Sequence, residues 1–182
     1  GNQFLANIRE TDAIAHVLRC FEDGDITHVE GRIDPVADAE TIETELMLAD
    51  LESVERRLTA LGKKLRGGDQ EVLDQDRLLR AAQAALAEGR PARSLKIAEE
   101  DRKQWRMLQL LTAKPVLFVC NVEEAKAASG NSQSDRVAEM AAKQGAASVV
   151  ISARIEEELA QLPEDEAVMF LERPYPVTAE AL

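Results

Sequence analysis

Aromatic residues, cysteines and long apolar runs are all scarce in this sequence of 182 residues. Only 3% of the residues are aromatic, and no apolar run is long enough to cross a bilayer. The two cysteines, Cys20 and Cys120, have no spacing typical of a metal site or a redox pair, and we expect no signal peptide. These absences argue against a disulfide-stapled secreted domain, and we expect a cytoplasmic protein with no membrane partner.

Positive charge is also in short supply. The chain carries 22 Lys and Arg against 34 Asp and Glu, which gives a formal net charge of −12. A field of that sign repels nucleic acid and acidic membranes, so any contact with RNA has to be local, and we expect no sequence-specific reading of DNA.

The middle of the chain has helical periodicity. From about Val36 to Arg66 the apolar residues follow a heptad pattern, with Leu51, Val54, Leu58, Leu61 and Leu65 in one stripe. Gly67 and Gly68 break that helix, and a second helix is predicted from about Gln70 to Glu88. Two helices joined by so short a turn form an antiparallel hairpin. A third helix, about Glu99 to Leu111, carries Trp105 as a packing anchor.

The remaining segments alternate between strands and helices. Residues 13–21 are a strand candidate containing His16, which we assign to packing, and residues 22–35 form a polar loop with His28. Residues 116–120 and 147–152 are apolar runs typical of buried strands. A helix capped by Ser134 separates them, and another helix follows. This order predicts a parallel α/β unit.

Polar groups follow both buried strands of that unit. Asn121 ends the first strand, with Glu124 three places on, and Ser152-Ala153 ends the second. In open α/β sheets, ligands bind beyond the carboxyl ends of the strands. An amide that donates and accepts, beside a carboxylate, suits a purine base. The alternative is a structural turn that begins at Asn121.

Several motifs together resemble one family. KPVLFVCN followed by VEE is similar to the base-recognition motif of P-loop GTPases, and ISARIEEEL is similar to their last nucleotide-contacting loop. The usual motif is Asn-Lys-x-Asp, whereas Val122 and Glu124 stand here at the Lys and Asp positions. With the inserted hairpin and the stretches GNQFLANIRETDAI, RCFEDGDITHVEG and DPVADAETI, this NxxE form resembles the YchF or Obg-like ATPase family.

The resemblance implies the C-terminal part of a P-loop NTPase G domain, an α/β fold with an inserted coiled-coil hairpin. The phosphate-binding motif GxxxxGK[ST] is absent from these residues, and we expect that the sequence starts inside a domain. We expect a G-domain segment at 1–35, the helical insertion at 36–111, the C-terminal G-domain part at 112–172 and an irregular tail at 173–182.

The function implied by the resemblance is ATP or GTP hydrolysis with Mg²⁺, in a protein that associates with the ribosome. The expected base contacts are Asn121, Val122, Glu124, Ser152 and Ala153, with Val122 against the face of the base. Catalytic and metal-binding groups are expected outside this sequence, so these residues alone should be inactive. ATP should be preferred because Glu124 is one methylene longer than the usual Asp.

The hairpin offers a second hypothesis, a non-catalytic module that binds a protein or RNA partner. Residues 56–66 contain five basic residues and no acid: Arg56, Arg57, Lys63, Lys64 and Arg66. Solvated helix faces usually mix charges of both signs, so this block suits phosphate, and ribosomal RNA is the candidate implied by the resemblance. The alternative is a solvated end of a coiled coil.

Overall fold

The computed structural model describes residues 2–22, 33–62 and 64–171. Within them the chain forms seven α-helices and three β-strands, joined by short 3-10 turns. The helices are α1 (Asn2–Arg9), α2 (Pro35–Leu61), α3 (Gln70–Ala87), α4 (Arg102–Met107), α5 (Ser132–Lys143), α6 (Ala153–Gln161) and α7 (Glu164–Leu171). The strands are β1 (Ile14–Arg19), β2 (Val116–Asn121) and β3 (Ala147–Ile151).

The chain divides into two compact units. We call Gly1–Ile14 with Glu40–Pro115 the helical unit, and Ala15–Ala39 with Val116–Leu182 the sheet unit. The four-segment division expected from the sequence stays a prediction. Among the described residues, no helix is both long and apolar enough to cross a membrane.

The core of the helical unit lies along α2 and α3, as the heptad stripe predicts. Val54 and Leu61 on α2 are 0% and 8% exposed, while Leu51 and Leu58 are half-buried against the same cluster. The other buried members are Leu78, Leu79, Ala82, Leu86, Ala92, Leu108 and Leu110. Burial of this stripe is what stabilises the hairpin, since helices of this kind gain most of their stability from packing.

The turn between α2 and α3 starts earlier than predicted. We expected the first helix to reach Arg66, but α2 ends at Leu61, where Gly62 follows. Glycine is a poor helix former because it loses the most backbone freedom on folding. The chain then tightens into a 3-10 turn at Leu65–Gly67, and Asp69 caps α3 by accepting a hydrogen bond from Glu71 N at 3.0 Å.

The predicted third helix is shorter than the sequence suggested. It ends at Met107, and Gln109 adopts a left-handed conformation with φ 51°. The reason lies on α2, where the fully buried Asp50 carboxylate accepts the N–H groups of Leu111 (2.9 Å) and Thr112 (2.8 Å). Those N–H groups are therefore not available to continue a helix.

The sheet unit is built on the strand order β1-β2-β3. Strands β2 and β3 run parallel, with Asn121 opposite Ile151. On the other side of β2, Cys20 N donates to Asn121 O at 2.8 Å just beyond the end of β1. His16 of β1 lies 5.9 Å from the Phe118 ring, and burial is the main cause that lowers its pKa, which fits the packing role predicted for it.

Helix α5 is capped by Asn131 instead of the predicted Ser134. Asn131 Oδ1 accepts from Gln133 N and Ser134 N, both at 3.0 Å, and the Ser134 hydroxyl accepts from Asn131 N at 2.8 Å. This reciprocal pair is a capping box. Gly130 precedes it with φ +72°, and a Cβ there would come within 2.6 Å of Ser134 Oγ.

The prediction of a buried strand at 147–152 is wrong for the described residues. Val149 and Val150 are 41% and 37% exposed, because β3 is an edge strand of the three-stranded sheet. Helix α7, which begins after Pro163, was not predicted. The polar loop residues Asp23, Asp25, His28 and Glu30, and the tail 173–182, lie outside the described residues.

Candidate functional site

The carboxyl ends of β2 and β3 bring two of the predicted site segments together. Asn121 is the last residue of β2, and its Oδ1 accepts a hydrogen bond of 2.8 Å from the backbone N of Ala153. That bond fixes the orientation of the amide, since only its oxygen can accept. Asn121 Nδ2 has no hydrogen-bond partner among the described residues, so it is a donor available to a ligand.

Glu124 forms an ion pair with Arg154, the residue that follows Ala153 in α6. It opens the short turn Glu124–Lys126, and its Oε1 lies 2.8 Å from Nε of Arg154. The two side chains are 44% and 75% exposed, so water screens this ion pair strongly. The sequence analysis missed Arg154. Its position inside the nucleotide-loop motif ISARIEEEL was the signal that could have pointed to it.

Val122 and Ser152 are placed in the interior. Val122 is 2% exposed and its backbone N donates to Ile151 O at 2.9 Å, so its side chain packs in the sheet unit and is not presented to a base. Ser152 is 3% exposed and begins α6 by accepting from Glu156 N at 3.0 Å through its carbonyl. Ala153, the next residue, is exposed.

A cavity of about 410 Å³ lies next to this edge of the sheet unit. Its wall includes Glu123 and Asn131, and Asn131 Nδ2 donates to Glu123 Oε2 (3.1 Å) and to Cys20 O (2.6 Å). The fold also brings together two cysteines that the sequence leaves unrelated. The thiols of Cys20 and Cys120 are both buried, and the interaction with Cys120, followed by burial, raises the pKa of Cys20.

The basic block predicted at the hairpin turn is smaller than the sequence suggested. Arg56, Lys64 and Arg66 are exposed, and Lys63 lies outside the described residues. Arg57 instead turns inward, donating from NH1 to Leu108 O at 2.8 Å, and burial is the main cause that lowers its pKa. The structure therefore gives Arg57 a packing role between α2 and the segment after α4.

Comparison with known proteins gives one consistent group of relatives. The chain is 44% identical over 174 residues to the ribosome-binding ATPase YchF of Bacillus subtilis (strain 168), a match that covers 94% of this chain and 48% of that protein. It is 45% identical over 172 residues to the ribosome-binding ATPase YchF of Haemophilus influenzae, covering 94% and 47%. A scan against protein-family models finds no match.

A solved structure agrees with these sequences. The YchF GTPase of Schizosaccharomyces pombe matches with a TM-score of 0.82 at 30% identity, covering 94% of this chain and 48% of that one. The parallel sheet with polar groups at its carboxyl edge is thus the α/β architecture of a P-loop NTPase domain. The chain belongs to the YchF or Obg-like family, which confirms the resemblance carried by NxxE and ISARIEEEL. It spans about half the length of the curated relatives it matches.

Proposed function

We propose that this chain supplies the base-binding edge of the nucleotide site in a ribosome-associated P-loop ATPase that also accepts GTP. The observation that carries the proposal is Asn121, whose amide is held by Ala153 with its Nδ2 donor left available. The names of the relatives, a ribosome-binding ATPase and a GTPase, support the same function.

The hydrogen bonds of Asn121 limit what it can read. Its oxygen already accepts from Ala153 N, which leaves one of its two lone pairs for the 6-amino group of adenine. Its Nδ2 can donate to N7, which adenine and guanine share. Discrimination between the two bases therefore does not depend on Asn121 alone, and the charged pair of Glu124 and Arg154 lies at the same edge.

Binding of a nucleotide to this chain tests the proposal directly. We expect ATP to shift the NMR signals of the Asn121 side-chain amide and the Ala153 backbone amide. Asn121→Ala should weaken binding by roughly five- to tenfold, because it removes one polar contact and frees the loop. The matched control is Gln161→Ala, which deletes an exposed amide on α6. Equal affinity of the Asn121 variant and the wild type would contradict the assignment.

Hydrolysis is expected to need groups that these residues do not provide. Phosphoryl transfer depends on a phosphate-binding loop, its Lys and Mg²⁺, and GxxxxGK[ST] is absent from the sequence. In the part of the chain that the structure describes, no group of three His, Cys, Asp or Glu residues could hold a metal ion. The residues that the structure describes do not fit a Mg²⁺ site.

The expected result is phosphate release at background level when the purified 182-residue chain is incubated with ATP and Mg²⁺. A malachite-green assay over several hours measures it. Release above background that disappears in Asn121→Ala would show that the chain is catalytic by itself, whereas release unaffected by that change would indicate a contaminant.

The hairpin turn supports a second activity, contact with RNA. Arg56, Lys64 and Arg66 are exposed, and none of them has an ion-pair partner among the described residues. Unpaired cations on one surface suit a phosphate backbone, which is bound without base readout. We propose ribosomal RNA as the partner, in agreement with the ribosome-binding name of the relatives.

Charge reversal at this turn tests the RNA contact. Lys64→Glu with Arg66→Glu should lower co-sedimentation with ribosomes, and the effect should shrink as salt rises because the contacts are electrostatic. The control is Lys96→Glu with Lys103→Glu, the same charge change at exposed sites of the helical unit. If both pairs of substitutions reduce pelleting equally, the effect comes from net charge and not from the hairpin turn.

A further inference from the structure

The first two residues of α6, Ala153 and Arg154, contact two side chains of the NxxE motif. Ala153 N donates to Asn121 Oδ1 at 2.8 Å, and Arg154 forms an ion pair with Glu124 in which Nε lies 2.8 Å from Oε1. The first contact positions the amide that donates to a base. The second places a guanidinium group against one oxygen of the carboxylate.

We propose that Arg154 is a positioning residue that sets the base preference of the site by withholding one oxygen of Glu124. The proposal rests on the function proposed above, since it presumes that a purine lies at this edge. Arg154 acts through Glu124, whose remaining oxygen, Oε2, is then the acceptor offered to the ligand.

The chemistry of the two purines explains why this matters. Guanine presents two adjacent donors, N1–H and the 2-amino group, which a free carboxylate accepts together through both oxygens. Adenine presents one donor, the 6-amino group, beside the acceptor N1. A carboxylate with only Oε2 available satisfies the adenine amine but leaves one guanine donor unpaired. An unpaired polar group in a binding site is what produces discrimination between similar ligands.

Arg154 also adds a donor surface of its own. Its guanidinium carries five N–H donors, and only Nε has a partner in the part of the chain that the structure describes. An N–H group beside the carboxylate would donate to the acceptor N1 of adenine, whereas it would oppose the N1–H donor of guanine. The Glu124 carboxylate therefore matches the 6-amino donor of adenine, and the Arg154 guanidinium matches the adjacent acceptor N1.

The test compares AMP and GMP, which differ only in the base. Each is titrated into the 182-residue chain, and the Ala153 and Asn121 amide signals give the two dissociation constants. In Arg154→Gln we expect the ratio of affinities to move toward GMP by about three- to tenfold, the range for one exposed charge-assisted contact. The control is Arg136→Gln on α5, which breaks the exposed ion pair of Arg136 with Asp34 and should leave the ratio unchanged.

A double substitution separates positioning from general structural effects. If Arg154 acts through Glu124, then Arg154→Gln should have no effect on the ratio in a Glu124→Gln background. A ratio that is unchanged in Arg154→Gln, or that shifts as much in Arg136→Gln, would overturn the role of Arg154 while leaving the base site in place. If neither nucleotide shifts the Asn121 and Ala153 signals of the wild type, the base site itself fails and the specificity role falls with it.

Discussion

Asp50→Ala is expected to lower the free energy of unfolding of the helical unit by about 3–5 kcal/mol, the range for breaking a buried charged network. Asp50 is 0% exposed and accepts from Leu111 N, Thr112 N, the Thr112 hydroxyl (2.9 Å) and Arg9 NH1 (3.2 Å). Alanine would leave the backbone N–H groups of Leu111 and Thr112 without an acceptor in the interior, and each buried N–H without a partner is costly.

Chemical denaturation followed by circular dichroism measures this loss. The control is Glu52→Ala, an exposed acid two residues further along α2, which should change stability by no more than about 0.5 kcal/mol. Asp50→Asn keeps one acceptor oxygen and should fall between the two. A loss from Asp50→Ala no larger than that from Glu52→Ala would mean that the carboxylate does not hold the segment after α4.

Val122→Lys is the second change with a large expected effect. It restores the lysine of the usual guanine motif Asn-Lys-x-Asp, but at a position that is 2% exposed. An ammonium group placed there loses hydration without gaining a partner, and we expect the sheet unit to lose about 2–4 kcal/mol of stability. The guanine motif therefore cannot be rebuilt in this chain by side-chain replacement alone.

Val149→Lys provides the matched comparison. It introduces the same side chain on the neighbouring strand β3, where the valine is 41% exposed and the ammonium group can remain in water. We expect a loss below about 1 kcal/mol, as for most surface substitutions. Similar denaturation midpoints for the two lysine variants would show that the Val122 position can open to solvent, and Val122 would again be a candidate for contact with the base.

The site at the carboxyl edge of the sheet was only partly predictable from the sequence. Parallel strands place their carboxyl ends side by side, so the apolar runs ending in Asn121 and Ser152 predicted that these segments would meet. The structure joins them through Asn121 and Ala153. The partner of Glu124 was not predictable in the same way, because the pairing of two long, exposed side chains depends on where each can reach after folding.

Burial at single positions was also decided by the fold. Val122 and Arg57 both follow local patterns that suggest exposure, one in a loop motif and the other in a basic block. In the fold, each donates a hydrogen bond to a residue distant in sequence: Val122 N donates to Ile151 O, and the Arg57 guanidinium donates to Leu108 O. Conversely, the apolar run of β3 predicted burial, but its position at the sheet edge leaves it partly exposed.

The sequence by itself determined the helical hairpin and the order of strands and helices in the sheet unit, because periodicity and turn residues fix local backbone hydrogen bonding. Its motifs carried the resemblance to the family. Only the tertiary structure decided that Asp50 accepts hydrogen bonds from Leu111 N and Thr112 N, which ends the helical segment of α4 early. It also decided that the Cys20 and Cys120 thiols are neighbours and that Arg154 forms an ion pair with Glu124. These contacts join residues distant in sequence, and a side chain selects among possible partners only after packing has fixed their distance and removed water from between them.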